Sequence, residues 1–458
     1  MRKKLWSVLL CTALIGGLTA CSGGASKVAG EKADTAQTSD AAQAASGAGE
    51  QAGKAGDGRK VTLRIMSMQQ PENPEGPIER EIADAFMKEH PEVEIEWIGV
   101  AANDMSKKLS AMAAGNDLPD IITTPTEMVS AAYDMGILKN LNEILPADFL
   151  EDFNTDVLAQ TTVDGELLIL PYQGMNAALL YRADWFEEEG LKAPENWDEF
   201  CNAAKALTKD TDGDGQMDRW GFAMMATRNA SAESRFLYIT RSYGVRELWQ
   251  DTDGSWKTDV GNEDFRKALG MFCDFALVDG VVAPGVLETG YGEAANLVVA
   301  GKSGMLITGS NAVGTIISQN PELKGKLASC LIPMGTQHVS DPREVGYSIS
   351  SSCQNTELAK EYLMFVCRKD NLAKWTEGAG RVPTMKSAQD LPQLQTPEME
   401  GFVAGSQYFY ERPKHSGYVE VQDVMGEAYQ SVLSGNATVE QAAVTAREKV
   451  EEMIESYQ

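Results

Sequence analysis

In the first third of the chain, short runs of apolar residues alternate with segments in which apolar residues recur at helical spacing. This pattern predicts strands separated by helices. Residues 61–68, 93–100 and 119–125 are short runs rich in β-branched and apolar side chains. Between the first two runs, Ile78, Ile82, Ala85 and Phe86 recur at helical spacing, and a second helical segment precedes the third run. This strand, helix, strand order predicts an α/β domain with a mainly parallel sheet.

The same alternation continues toward the C-terminus. A strand is predicted to end at Leu170, and a Pro-Tyr-Gln-Gly interruption separates it from a second strand at 177–182. Because this linkage is extended and lacks a tight turn, we expect a crossing between two domains there. The segment AANLVVAGKSGMLITGSNAV at 294–313 predicts a helix, then a strand and then a polar loop, and helices are predicted at about 421–433 and 439–454.

The N-terminus has the pattern of an export signal. Three basic residues precede an apolar stretch at 5–18, which is too short for a comfortable membrane-spanning helix. Residues 18–21, Leu-Thr-Ala-Cys, resemble a bacterial lipobox, in which the signal is cut before the cysteine. We therefore predict a lipoprotein signal peptide at 1–20 and a lipid anchor on Cys21. A plain secretory signal with an incidental cysteine is the alternative.

A long segment of small and polar residues follows the cysteine. Residues 22–58 contain one bulky apolar side chain, Val28, and cannot form a core. The segment 21–58 is therefore predicted to be a disordered tether, with a root-mean-square span of about 33 Å. Residues 59–458 are numerous enough for two domains with separate cores.

The net charge argues against certain ligands, and the number of cysteines argues against a fold held by disulfides. The formal net charge of −27 would repel nucleic acids and anionic lipid head groups, so neither is expected to bind. Once the signal is removed and Cys21 is lipidated, five of the seven cysteines remain, an odd number that cannot form a complete disulfide framework. A single Cys330–Cys353 bridge stays open, and the other three thiols are expected to be buried.

Polar side chains follow two of the predicted strands, at the edge where ligands of open α/β sheets collect. The loop after the first strand and the loop after the third therefore supply the first candidate pocket residues: Met68, Gln69, Gln70, Thr123, Thr124, Thr126 and Glu127.

Six segments in this order resemble the extracellular solute-binding proteins of family 1, the sugar-binding components of bacterial ABC importers, to which the maltose-binding protein belongs. The segments are LPDIITTP, GILKNL, DGELLILPYQGMNAALLYRADWFEEEGLKAPENWDEF, GKSGMLITGSNAV, GYSISSSCQNTELAKEYLMFV and GAGRVPTMKSA. The likeness covers nearly all of residues 59–458, and the lipobox adds to it because such receptors of Gram-positive bacteria are typically lipoproteins.

The resemblance implies a type II periplasmic-binding-protein-like α/β fold with two lobes, each a mainly parallel sheet flanked by helices. The N-terminal lobe would comprise residues 59–173 and 347–383, and the C-terminal lobe residues 174–346 and 384–458. A carbohydrate, by expectation an oligosaccharide, would be captured in the cleft between the lobes by hinge closure and delivered to the transmembrane subunits of an ABC permease. We expect a lipid-anchored monomer on the outer face of the bacterial cytoplasmic membrane.

The pocket expected for a sugar combines flat aromatic surface with converging amides, carboxylates and guanidinium groups. Residues of these types at strand ends and crossings are Tyr172, Gln173, Asn176, Arg228, Ser310, Asn311, Tyr347 and Arg381, with Gln69, Gln70, Thr124 and Glu127 on the opposite wall. Glu127 corresponds by motif to an acidic pocket position of the maltose-binding protein. Thr124 and Asn311 stand where that protein carries tryptophans, so its sugar specificity does not transfer.

Several of these residues have structural alternatives. Tyr172 could brace the hinge, Arg381 could cap the preceding helix, Arg228 could simply pair with a carboxylate, and Glu127 could be a solvated side chain.

One loop has the pattern of a calcium site. Asp210, Asp212, Asp214 and Asp218 occupy positions 1, 3, 5 and 9 of an EF-hand-like loop. Position 12 is Gly221 instead of the bidentate glutamate, which would weaken binding. A structural calcium is therefore one reading, and a metal-free Asx-turn loop is the other.

The sequence carries no signature of catalysis and predicts a binding protein that requires no cofactor. His90, His338 and His415 are far apart, there is no GxSxG motif, and the AGKS that ends at Ser303 has Asn296 where a phosphate loop needs glycine. One alternative is a polyamine or a short peptide bound on the same scaffold. Another is an extracellular carbohydrate-active enzyme, which would need two carboxylates at catalytic separation or a metal triad.

Overall fold

The structure is a computed structural model that describes residues 60–101, 104–340, 343–408, 410, 412, 413 and 415–457. The predicted signal peptide, the predicted anchor Cys21 and the predicted tether lie outside the described residues. The side chain of Glu127 also lies outside this description.

The N-terminal segment alternates strands and helices as predicted. Its strands are β1 (Val61–Ser67), β2 (Val93–Gly99), β3 (Ile121–Pro125), β4 (Thr162–Val163), β5 (Glu166–Leu167) and β6 (Leu170–Met175). Its helices are α1 (Glu75–Glu89), α2 (Met105–Ala114), α3 (Val129–Asp134), α4 (Ala147–Leu150) and α5 (Thr155–Gln160). Of its four periodic positions, helix α1 buries Ile82 and Phe86, whereas Ile78 and Ala85 are partly exposed and pack against the core.

The middle of the chain contributes a second set of elements. Its strands are β7 (Ala177–Arg182), β8 (Trp220–Phe222), β9 (Trp249–Gln250), β10 (Trp256–Lys257), β11 (Ser303–Gly309) and β12 (Leu327–Cys330). Its helices are α6 (Ala183–Glu188), α7 (Trp197–Leu207), α8 (Ala230–Ser242), α9 (Glu263–Leu277), α10 (Tyr291–Val299) and α11 (Asn311–Gln319).

The C-terminal segment adds elements to both the N-terminal set and the middle set. It holds the strands β13 (Arg343–Ile349) and β14 (Val382–Pro383). Its helices are α12 (Thr356–Val366), α13 (Lys369–Ala379), α14 (Glu400–Gly405), α15 (Tyr418–Leu433) and α16 (Val439–Ser456). The two predicted terminal helices are confirmed, and Thr438 begins the last one with a capping box that includes Gln441.

The first sheet has the strand order β14-β6-β13-β3-β1-β2. Strands β1 and β2 pair in parallel, as do β1 and β3, whereas β13 pairs antiparallel with both β3 and β6. Strands β1, β2, β3 and β6 therefore run in one direction, and β13 and β14 run in the other. The expected parallel direction holds for most strands, but the pairing is mixed because β13 is inserted from a distant part of the chain.

The second sheet has the strand order β12-β7-β11-β8. Strand β11 pairs in parallel with β8 and antiparallel with β7, which also pairs antiparallel with β12. The carboxyl ends of β8 and β11 therefore lie at the same edge of this sheet. The largest buried apolar cluster includes Ile65 and Tyr172 from the first sheet and Leu179 and Ile307 from the second.

The chain passes between the two sheets at three places. Strand β6 of the first sheet is followed directly by β7 of the second, and β12 of the second is followed by β13 of the first. After β14 the chain leads to α14, which packs on β7 and β12. The predicted lobe boundaries after residues 173, 346 and 383 stay a prediction, and the first two of them lie inside β6 and β13.

Two local predictions are wrong. The Pro-Tyr-Gln-Gly segment after Leu170 belongs to strand β6. Pro171 pairs with Gly346 and Gln173 pairs with Val345, so Tyr172 between them is the extra, unpaired residue of a β-bulge. A bulge is one of the few places where a sheet tolerates proline. The polar loop expected after 303–309 is instead the start of α11, which begins at Asn311.

All five cysteines in the described residues are free thiols, so the open Cys330–Cys353 bridge is not formed. Cys273, Cys353 and Cys367 are buried, and Cys201 and Cys330 are half-buried. Burial raises the pKa of the Cys201 thiol to about 11 and that of Cys330 to about 12, which keeps both protonated and unreactive. Within the described residues no helix is both long and apolar enough to cross a membrane.

Candidate functional site

The carboxyl end of β1 surrounds a buried carboxyl group, Glu79 of α1, which is 1% exposed. Ser67 donates a hydrogen bond to Glu79 Oε2 at 2.7 Å, Gln70 Nε2 donates to the same oxygen at 2.7 Å, and Tyr347 donates to Oε1 at 2.8 Å. Burial raises the pKa of the Glu79 carboxyl above its ordinary value, and these hydrogen bonds oppose the rise. The carboxyl thereby joins β1, α1 and β13 at one edge of the first sheet.

A second layer of this network comes from strand β6. The rings of Tyr172 and Tyr347 stack with their centroids 5.0 Å apart. Tyr172 donates a hydrogen bond to Gln69 Oε1 at 3.0 Å and accepts one from Gln173 Nε2 at 2.7 Å. Since Tyr172 is fully buried and also packs edge-on against Trp375, its position fits the bracing role better than that of a platform for a sugar ring.

Trp375 and Tyr362, which contact Tyr172 and Tyr347, each keep a buried polar atom without a hydrogen-bond partner in the described part of the chain. Four of the predicted site residues at this junction also keep buried polar atoms that have no partner among the described residues. They are Gln69 (Nε2), Gln173 (Oε1), Ser310 (Oγ) and Arg381 (Nε and Nη1). Buried polar groups in proteins are nearly always satisfied, by protein, by water or by a ligand. This set contains donors, an acceptor and a hydroxyl, which is the combination that a polyhydroxylated molecule can satisfy.

Ser310 and Arg381 bring the two sheets together. The Ser310 amide, just after β11, donates a hydrogen bond to the Asn176 carbonyl between β6 and β7, at 3.0 Å. Gly380 ends α13 in the left-handed conformation, and a Cβ there would lie 2.4 Å from the Ser310 carbonyl oxygen. The next residue, Arg381, is 6% exposed and donates from Nη2 to Glu75 Oε1 at 3.0 Å. Gly380 therefore supplies the helix end, and the Arg381 side chain does not cap the helix.

Other predicted residues are used within the scaffold. Thr124 is buried in β3, where its hydroxyl lies 3.1 Å from that of Ser348. Asn176 donates from Nδ2 to the Phe402 carbonyl at 2.8 Å and so ties the crossing to α14. The backbone of Glu127 lies in the 3-10 helix Thr126–Met128, which directly follows β3.

The edge of the second sheet carries Asn311 and Arg228. The Tyr291 hydroxyl, at the start of α10, lies against the side chains of Thr308 and Asn311, and burial raises its pKa. Arg228 lies farther along this edge, after β8, and its Nε donates to Asp423 Oδ1 of α15 at 2.7 Å. Arg228 therefore forms the carboxylate pair named as its alternative, in a groove of about 790 Å³.

Sequence reasoning missed the carboxylates that organise these residues, namely Glu75, Glu79, Glu233 and Asp423. One signal was present for Glu79, because it lies three and seven residues before Ile82 and Phe86 and hence on the buried face of α1. A carboxylate at an apolar-face position predicts a buried polar network.

The Asp210 loop has part of the expected calcium geometry. Oxygen atoms of Asp210, Asp212 and Asp218 lie within 4.8 Å of one another. The Asp210 carboxylate accepts hydrogen bonds from the Gly215 and Gly213 amides at 2.7 Å, which lower its pKa. Asp214 is outside this group, and its Oδ1 accepts a hydrogen bond from the Gln216 amide. The calcium site stays a prediction.

Comparison with known proteins identifies the class. A family model described as bacterial extracellular solute-binding protein matches residues 70–372, more than half of the chain, so the chain belongs to this family of binding proteins. The galactooligosaccharide-binding protein of Bacillus subtilis (strain 168) is 27% identical over 385 residues, which cover 80% of this chain and 85% of that protein. An uncharacterized lipoprotein of Streptomyces antibioticus is 26% identical over 397 residues, 83% of this chain and 84% of that protein.

A solved structure, maltose-bound MalE3 of T. maritima, is similar with a TM-score of 0.72 and 21% sequence identity, and the match covers 86% of this chain and 99% of that chain. This likeness confirms the predicted fold class, the α/β fold of periplasmic binding proteins related to the maltose-binding protein.

The raised pKa of Glu79 predicts a specific pH dependence of stability. The folded state binds the Glu79 proton more tightly than the unfolded state, so the free energy of unfolding falls as pH rises from the unfolded value of 4.5 through the raised folded pKa. We expect Glu79→Gln, which resembles the protonated form, to lose this part of the slope. Urea denaturation at several pH values between 5 and 8 checks it, with exposed Glu94→Gln as control. Identical slopes for the wild type and Glu79→Gln would contradict the prediction.

If the Asp210 loop holds calcium, Ca²⁺ at about 1 mM, the range of extracellular calcium modules, is expected to raise the Tm of the protein. Asp212→Asn should lose the increase, since it removes a charge but keeps the oxygen that accepts from the Asp214 amide. Differential scanning calorimetry with Mg²⁺ as control measures this. Equal responses to both ions, or an unchanged response in the variant, would leave the metal-free turn as the correct reading.

Proposed function

We propose that the protein is the carbohydrate-binding component of an ABC importer, which captures an oligosaccharide between two lobes and delivers it to a membrane permease. The observation that carries this proposal is the cluster of buried, unsatisfied polar atoms at the crossing between the sheets, in a chain that belongs to the solute-binding family. The name of the galactooligosaccharide-binding relative supports the same substrate class.

The chemistry of the junction suits hydroxyl groups. Each sugar hydroxyl can donate one hydrogen bond and accept two, so it can satisfy Gln69 Nε2 or Arg381 as donors and Gln173 Oε1 as an acceptor. Arg381 is held by Glu75, which fixes its guanidinium and leaves Nε and Nη1 for a ligand. Hydrogen bonds to these groups replace the hydrogen bonds to water that the sugar hydroxyls lose on binding. No covalent bond of the ligand is broken.

We propose that opening of the hinge exposes these atoms and that its closure around the ligand covers them again. In the described conformation they are buried, so a ligand reaches them only when the segments from the two sheets separate. Ser310 and Gly380 form one contact across this junction, and its rearrangement would report on the motion. A permease would then distinguish the loaded form by its closed surface.

We also propose that the protein works outside the cytoplasm, held to the membrane by lipid on Cys21. The family consists of extracellular proteins, and the Streptomyces relative is named a lipoprotein. Two or more acyl chains are needed for durable attachment, which a lipidated N-terminal cysteine provides.

The proposal predicts a saccharide-dependent gain in thermal stability that depends on Arg381. A saccharide at 100 times its Kd adds about 2.7 kcal/mol to the free energy of unfolding. Arg381→Ala removes charge-assisted hydrogen bonds and is expected to weaken binding by about 10- to 100-fold. Thermal-shift screening with mono- and oligosaccharides finds the ligand, and calorimetric titration measures the loss.

The matched control is Arg368→Ala, which removes an arginine that pairs with Glu89 and is half exposed. If neither variant changes the affinity, Arg381 does not contact the ligand. If no saccharide shifts the Tm and spermidine or a short peptide does, the ligand class is different. Turnover of a saccharide in a purified sample would show an enzyme.

The anchor predicts where the full-length protein is found. Expressed in a Gram-positive host, the protein should fractionate with membranes and incorporate labelled palmitate. Cys21→Ser should release it into the medium, because the thiol that carries the lipid is gone. Cys201→Ser is the control for loss of a thiol elsewhere. Membrane association of Cys21→Ser equal to the wild type would contradict the anchor.

A further inference from the structure

The groove that contains Arg228 has an unbalanced charge. It lies between the start of α8 and the helices α15 and α16, and its volume is about 790 Å³. Five carboxylates line it, from Glu233, Glu420, Asp423, Glu427 and Glu452. Among the described residues that line it, two are cationic, Arg228 and Lys449. The lining therefore carries an excess of negative charge.

Both cations are already paired. Arg228 Nε lies 2.7 Å from Asp423 Oδ1, and its Nη2 lies 3.6 Å from Glu427. Lys449 pairs with the same Glu427. The charge of Arg228 acts on Glu233 from a distance, but neither cation forms an ion pair with it.

Two of the groove carboxylates, Glu233 and Glu452, have no side-chain partner among the described residues, and Glu233 is the buried one. It lines the groove, is 5% exposed, and forms no hydrogen bond or ion pair through its side chain with any described residue. Helix α15 packs against the Glu233 side chain at Gly426, where a Cβ would lie 2.7 Å from Glu233 Oε1. The absence of a side chain at residue 426 thus gives the carboxylate its place between α8 and α15.

The groove also lies where a ligand of this fold is expected. Arg228 and Asn229 follow β8, and β8 is parallel to β11, which ends beside Ser310 and Asn311. Ligands of open α/β sheets bind at the carboxyl ends of their strands. The volume falls within the range of pockets for small ligands.

A hydroxyl group could donate to Glu233 but would leave the excess charge in place. An ammonium group would satisfy the same oxygen atoms and also neutralise the carboxylate, an interaction that low solvent exposure strengthens. The net charge of −27 on the chain adds a long-range attraction for cations.

We propose that the saccharide bound by this protein carries an ammonium group, which lies against Glu233 in the groove between α8, α15 and α16. This inference rests on the proposed function and narrows its substrate class to amino sugars.

The charges around Glu233 give the binding a pH dependence. The pKa of the Glu233 carboxyl is raised to about 7, mainly by burial and also by the charge of Asp423, while the charge of Arg228 opposes the rise. Tyr429 of α15 also faces this charge, and Glu427 and Lys449 line the same groove. An ammonium group requires the ionised carboxylate, so affinity should increase by about threefold or more between pH 5.5 and 7, even though the amine of an amino sugar, which is less basic than that of lysine, loses part of its own charge near pH 7.

The experiment is calorimetric titration of the full chain with oligomers of glucosamine and of galactosamine. Each is compared with its N-acetyl counterpart, which has the same rings and linkages but no charge, and with the corresponding glucose or galactose oligomer. At pH 7 we expect an amino form to bind at least about tenfold more tightly than its N-acetyl form. Glu233→Gln should abolish this preference, whereas Glu448→Gln, an exposed carboxylate of α16 outside the groove, should keep it.

The outcomes separate this inference from the proposed function. Equal affinity for amino, N-acetyl and neutral forms would overturn the inference and leave carbohydrate binding intact. Binding of spermidine without any saccharide, or of no saccharide at all, would overturn both. If Glu233→Gln does not fold, the pH dependence of the wild type decides, because binding that is flat between pH 5.5 and 7 also overturns the inference.

Discussion

A buried carboxyl group needs hydrogen-bond donors from whatever packs around it, and this requirement at Glu79 shapes the junction between the two sheets. Its donors come from Ser67 at the end of β1, from Gln70 beyond it and from Tyr347 in β13. Tyr347 in turn stacks on Tyr172, which orients Gln69 and Gln173. One desolvated group on a helix thus influences the positions of two side-chain amides, Gln69 in the loop after β1 and Gln173 in β6, and each of them keeps an atom without a partner among the described residues.

Negative charge has a different use in each part of the molecule. At the junction, Glu75 and Glu79 are satisfied by neighbours and hold binding groups in position. In the groove, Glu233 is desolvated and has no such partner. The first arrangement favours recognition of neutral hydroxyl groups, and the second favours a cation.

The sequence predicted the elements whose signals are local. The buried face of α1, the strands β1 to β3 and the last two helices follow from periodicity, and the order of the segments indicated the family. What periodicity could not predict depends on distant pairing. The strand character of Pro171 depends on a bulge opposite β13, and the burial of Glu79 depends on a tyrosine 268 residues away. The same holds for Glu233, whose surroundings are set by Gly426 on another helix.

Of the candidate site residues, Gln69, Gln173, Ser310 and Arg381 lie at the junction with unsatisfied atoms, whereas Thr124 and Asn176 serve the scaffold.

The three passages of the chain between the sheets restrict how the two halves can move. A single covalent link would allow bending and twisting in any direction. With three links, sliding or twisting stretches at least one of them, and the soft motion that remains is rotation about an axis close to all three. The link between β6 and β7 is one residue long, Asn176, and its amide is bonded to α14. It therefore has little slack, and the rotation axis must pass near it, so atoms close to Asn176 travel short arcs while those at the far rims of the sheets travel long ones.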